Sequence, residues 1–236
     1  MFVKFASRWF IPAAVVVLLG LSAQQSRADQ ISFDLTVGNP AISGFTGPYA
    51  NVVVNRTSTT TATITMSSYT VGGNIYLFGD GGTIGLNVNS SNFTLSSILG
   101  KNVSGTNFQS WSLVSVNSGQ EDGFGTFNAQ VNSFDGFAHS IDTITLTVTN
   151  NNGTWASAND VLLGNAGGST VAAHIFVTTS PADGQNGALA TGYAGNGTNS
   201  SVVPEPSSVA LGLIGLVGLS LTQIRRLVRR RPLAIA

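Results

Sequence analysis

Thr61-Ala-Thr-Ile-Thr-Met66 alternates polar and apolar residues without a break. Ala62, Ile64 and Met66 fall on one face and the threonines on the other. Thr143-Ile-Thr-Leu-Thr-Val-Thr149 repeats the pattern with Ile144, Leu146 and Val148. A period of two built from β-branched residues describes a strand with one buried face, and no helix can satisfy it. Further strands are expected at 31–37, 51–55, 74–78, 83–88, 92–98, 108–117, 125–132 and 169–179. Turn formers separate them: Gly-Asp-Gly-Gly at 79–82, Asn-Ser-Gly at 117–119, Asn-Asn-Asn-Gly at 150–153 and Ala-Gly-Gly at 166–168. Roughly ten short strands and no convincing helical period predict an all-β fold, a single β-sandwich or jelly-roll-like domain. Phe124, Phe127, Phe134 and Phe137 are expected to supply core bulk.

The 236 residues carry ten basic and ten acidic side chains, and the neutral total hides a segregation. Between positions 29 and 203 the only cations are Arg56 and Lys101, against nine acids, a net charge of −7. An acidic body this poor in lysine is a weak partner for nucleic acid or anionic lipid. The chain has no cysteine, so disulfides, thiol catalysis and cysteine-ligated metals are excluded. Asn, Ser, Thr and Gly supply the surface polarity instead.

The missing positive charge sits at the two ends. Lys4 and Arg8 precede an apolar core from Trp9 to Leu21, and Ser26-Arg27-Ala28 places small residues before a cut between Ala28 and Asp29. This is the layout of a secretory signal peptide over residues 1–28. At the other end, Val209 to Ile224 is uncharged for 16 residues. That gives a helix of roughly 24 Å, short of the ~30 Å bilayer core. Counted from Pro206 the stretch is 19 residues, enough once its polar ends sit among the headgroups. Pro204 and Pro206 mark its start. Arg225, Arg226, Arg229, Arg230 and Arg231 follow it and should hold that end in the cytoplasm.

Pro204-Glu205-Pro206, one apolar helix and a terminal arginine cluster together resemble the PEP-CTERM sorting domain. The likeness covers the last 30 or so residues. It implies that Pro204, Glu205 and Pro206 are read by a membrane-embedded exosortase that cuts near them. It also implies that the five arginines act as a stop-transfer cluster and that the host is a Gram-negative bacterium making exopolysaccharide. Pro232 to Ala236 run on past the arginines, where such tails often end sooner. The expected organisation is a signal peptide at 1–28, a β-sandwich at 29–180, a Gly/Asn/Ser stalk at 181–202, a sorting signal at 203–231 and a short tail at 232–236.

Chemistry-bearing residues in the body are sparse. Glu121 and Asp122 are adjacent carboxylates in a glycine-rich loop. The plainest reading is a solvated turn; the alternatives are ligands for Ca²⁺ or half of a glycosidase pair. Asp80 reads as part of a hairpin turn. His139 and His174 are the only histidines, and His174 shares a strand face with Ala172 and Phe176. Neither lies at metal-site spacing. Trp111 belongs to an alternating strand and reads as core. Trp155 follows Asn-Asn-Asn-Gly-Thr in a loop and is the better candidate for an exposed, sugar-stacking ring. No Gly-x-Ser-x-Gly motif marks a nucleophile. The expectation is an exported, non-enzymatic envelope or matrix protein without a catalytic residue or cofactor, with an exosortase, the membrane and exopolysaccharide as partners. The alternative is a carbohydrate-binding module, with or without Ca²⁺.

Overall fold

The computed structural model describes residues 29–79, 83–109, 118–132, 134, 141–179 and 188–196. The signal peptide, Asp80, Trp111, Phe137, His139, the sorting motif and the arginine cluster lie outside them. The described chain is all-β. Its strands are β1 (Asp29–Leu35), β2 (Val37–Gly38), β3 (Ala50–Arg56), β4 (Thr61–Ser68), β5 (Thr70–Val71), β6 (Asn74–Phe78), β7 (Ile84–Leu86), β8 (Phe93–Lys101), β9 (Asn107–Gln109), β10 (Gly119–Glu121), β11 (Gly125–Phe127), β12 (Ala129–Val131), β13 (Thr143–Asn150), β14 (Val171–Thr178) and β15 (Ala190–Gly195). Two short 3-10 turns, Pro40–Ile42 and Ala158–Asp160, are the helical exceptions among the described residues.

One sheet runs β1-β3-β4-β13-β8-β9. Every pairing in it is antiparallel. The two threonine-rich strands predicted from the sequence are direct neighbours. Ile144 pairs with Met66, Leu146 with Ile64 and Val148 with Ala62, and all six are fully buried. The threonines between them stand opposite one another on the other face, as the pleat requires. Strand β8 carries a bulge where the register slips between Thr145 and Thr147, and Ser97 takes a left-handed φ of 53° there.

The second sheet runs β12-β7-β14-β15-β2, with β6 also paired to β14 and β5 to β6. Its inward side chains, among them Ile84, Leu86, Val171, Ile175 and Val177, join those of the first sheet in one buried cluster. A sheet with one apolar face must bury that face against another layer, and these two curled antiparallel sheets do so against each other.

Two assignments move. The stalk expected from residue 181 contains β15, which pairs with β14 along Ala172 to Val177 and with β2. Its Ala-Thr-Gly-Tyr-Ala-Gly sequence lacks β-branched runs, so its strand character comes from its neighbours. The strand expected over 125–132 is two strands, β11 and β12, that belong to different sheets.

Leu146→Ala is expected to cost about 2–5 kcal/mol in urea unfolding, because the cavity lies between two sheets. Thr147→Ala, on the opposite face of the same strand, should cost under about 1 kcal/mol.

Candidate functional site

The second sheet has an unusual outer face. Gln130 of β12, Gly85 of β7, Ala172 of β14 and Gly195 of β15 pair in register and form one row across it. Two glycines and an alanine make the middle of this row a shallow trough. The hairpin β10–β11 lies in it. A Cβ on Gly85 would come within 2.7 Å of both Glu121 Cγ and the Phe127 ring, and one on Gly195 would strike the Phe124 ring. The trough therefore exists because those positions lack side chains. Phe124, Phe127 and Ala172 form a second apolar cluster, separate from the main core, with Tyr193 packed against it. Tyr193 in turn stacks on His174, with ring centroids 4.7 Å apart.

Three neutral side chains tie the hairpin down. Asn39 Nδ2 donates to Asp122 Oδ2 at 2.9 Å, while Asn39 Oδ1 accepts from the Tyr193 amide at 3.1 Å. Asn165 Nδ2 donates to the carbonyls of Phe124 and Thr126 at 2.9 and 3.1 Å. Gln130 Nε2 donates to Glu121 Oε1 at 2.8 Å. A tight turn closes the hairpin, with the Phe124 amide donating to the Glu121 carbonyl at 3.0 Å. Gly123 and Gly125 there both have φ of 86°, a region that glycine enters without strain.

Glu121 is the chemical centre of this arrangement. Its side chain is fully buried, and Oε2 has no hydrogen-bond partner among the described residues. Loss of hydration pushes its pKa up from 4.5 to about 8, and the Gln130 hydrogen bond only partly opposes that. At neutral pH the group is therefore a carboxylic acid, not a carboxylate.

These positions correct several readings from the sequence. Glu121 departs from the solvated-turn reading, buried under the hairpin against Gln130, whereas Asp122 is exposed and accepts from Asn39. Among the described residues no group of three histidine or acidic side chains lies together. Trp155 is 2 % exposed and belongs to the main core. Its indole Nε1 donates to the Asn89 carbonyl at 2.9 Å, so the ring can be buried with its one polar atom satisfied. It is not a platform for a sugar. Phe124, Phe127 and Phe134 are buried as expected. Sequence reasoning missed Asn39, Asn165 and Gln130. An isolated amide in a chain rich in asparagine carries no signal that it clips a distant loop.

Set beside protein-family models, curated proteins and solved structures, the chain has no match to any of the three.

The raised Glu121 pKa sets a pH dependence with a definite sign. Between about 4.5 and about 8 the folded chain holds a proton that the unfolded chain has released, so stability falls as pH rises. Glu121's contribution is fully present below about 4.5 and lost as pH passes through about 8. Urea unfolding at pH 5 and pH 9 should show a loss on the order of a few kcal/mol. Glu121→Gln should show much less.

Proposed function

We propose that this chain is an exported, non-enzymatic protein of the bacterial envelope or extracellular matrix, addressed by its tail and trimmed by an exosortase. The observation that carries the reading is the order Pro204-Glu205-Pro206, uncharged helix and five arginines at 225, 226, 229, 230 and 231. In this reading the signal peptide takes the chain into the export pathway and is removed after Ala28. The apolar helix then halts in the inner membrane with the arginines inside. The body waits in the periplasm until the protease recognises Pro204 to Pro206 and frees it to the cell surface or matrix. No helix among the described residues is long and apolar enough to cross a membrane.

Residues near both expected cuts make long-range contacts. Asp29, which would be the new first residue, lies in β1. The Asp29 carboxylate accepts a short hydrogen bond from the Ala158 amide, capping the 158–160 turn, and lies 3.7 Å from Arg56. At the other end Asn196 closes the last strand, its Oδ1 accepting from the Thr170 and Val171 amides. Cuts at the expected positions would leave Asp29 and Asn196, and the contacts they make, in the mature chain.

We read the architecture as one sandwich domain with a structural or adhesive role in an exopolysaccharide setting. The solvent face of the first sheet suits that role. Paired rows of Thr61–Thr149, Thr63–Thr147, Thr65–Thr145 and Ser67–Thr143 present hydroxyls in place of charge. Such a surface is compatible with a hydrated polymer and offers nothing to nucleic acid. The carbohydrate-module alternative loses its best aromatic, because Trp155 is core.

Replacing Pro204, Glu205 and Pro206 with alanine in the native host should leave the tail attached, seen as the unprocessed mass by mass spectrometry. Normal tail removal from that variant would overturn the exosortase reading.

A further inference from the structure

The β10–β11 hairpin is held over the trough by Asn39, Asn165 and Gln130, and its own Glu121 side chain points beneath it. The Glu121 side chain fits against Gly85 through its Cγ, with one carboxyl oxygen satisfied by Gln130 and the other without a partner among the described residues. A neutral acid tolerates that position at modest cost. A carboxylate there would be a buried charge with one hydrogen bond and no cation among the described residues, which is far more expensive. The elements packed around Glu121 offer no compensation of the required kind. Among the described residues, β7, β11 and β12 carry no titratable side chain. Asp122, next in the chain, is an acid committed to Asn39. On the same outer face β14 brings His174 and β15 brings Tyr193, which stack on each other.

We propose that the β10–β11 hairpin is a proton-locked flap: protonated Glu121 holds it in the trough, and loss of that proton lifts it. Lifting hydrates the carboxylate and uncovers Phe124, Phe127, Ala172 and the Tyr193 ring, an apolar face the closed chain hides. The construction separates this flap from the core. Its apolar residues form their own cluster, so it can open while the two sheets stay packed. The proposal does not depend on how the chain is sorted.

The linkage has a characteristic slope. One proton released on opening raises the opening equilibrium about tenfold per pH unit, between the ordinary carboxylate range and the closed-state value. The absence of native cysteine allows a clean reading of it. In Ala172→Cys the single thiol lies under the hairpin, and Ser104→Cys, on an exposed turn, reports the intrinsic thiol reactivity. On the full chain, with circular dichroism confirming the native fold, the ratio of the two labelling rates should climb about tenfold from pH 6 to 7 and about fivefold from 7 to 8. It should then level off. Adding Glu121→Gln should flatten the ratio. A flat ratio with Glu121 present, or an equal slope in the Gln variant, would overturn the proposal. A slope carried by His174 would also survive that substitution, so the second outcome identifies it. Carbon-13 NMR of the Glu121 carboxyl in the unmutated chain is the independent check. Titration near 8 supports the flap, and titration in the ordinary carboxylate range rules it out.

Discussion

Neutral amides hold this protein's loops. With two cations in the body and no cysteine, ion-pair networks and disulfides are closed to it. Buried backbone groups in the connections must still find partners. Asparagine supplies both a donor and an acceptor at one site, and the chain uses it that way repeatedly. Asn128 takes the place of a strand neighbour for Val88, accepting from its amide at 2.8 Å and donating to its carbonyl at 2.7 Å. Asn196 does the same service at the start of β14, and Asn165 joins the hairpin to the 166–169 turn through both ends of its amide. The sheets follow from hydrophobic alternation, but their connections follow from these side chains.

That arrangement explains why the one ion pair among the described residues is placed where it is. Arg56 reaches both Asp29 and the Trp155 carbonyl, at the corner where the first strand, the 3-10 turn and the buried tryptophan meet. The start of the described chain is therefore anchored to a segment more than a hundred residues away. It also explains the cost concentrated at Glu121. A protein that solves its polar accounting with neutral groups has no cation to offer a buried acid, and the acid keeps its proton.

The legible part of the fold was the part governed by period two. The edges of β6 coincide with the segment expected from sequence, and β4, β13 and β14 depart from theirs by a residue or two. Where the pattern is short or lacks β-branched residues, it failed. β10 and β15 were missed because Gly-Gln-Glu and Ala-Thr-Gly-Tyr-Ala-Gly become strands only through their partners. Trp155 and Glu121 were misplaced for a related reason. A loop aromatic beside glycine and asparagine, and an acid in a glycine-rich loop, both look solvated in sequence. Their burial is decided by a carbonyl at Asn89 and a trough made by Gly85 and Gly195, each more than thirty residues distant.

The body and its two terminal signals form one account. Asp29 and Asn196 both hold distant segments together, and the proposed processing would leave both in the mature chain. The most direct measurement is the intact mass of the protein recovered from the envelope or medium of its host. The account predicts a chain that starts at Asp29 and ends between Asn196 and Pro206, free of the arginine cluster. A recovered chain that retains residues 1–28 or the segment from 209 to 236 would contradict it.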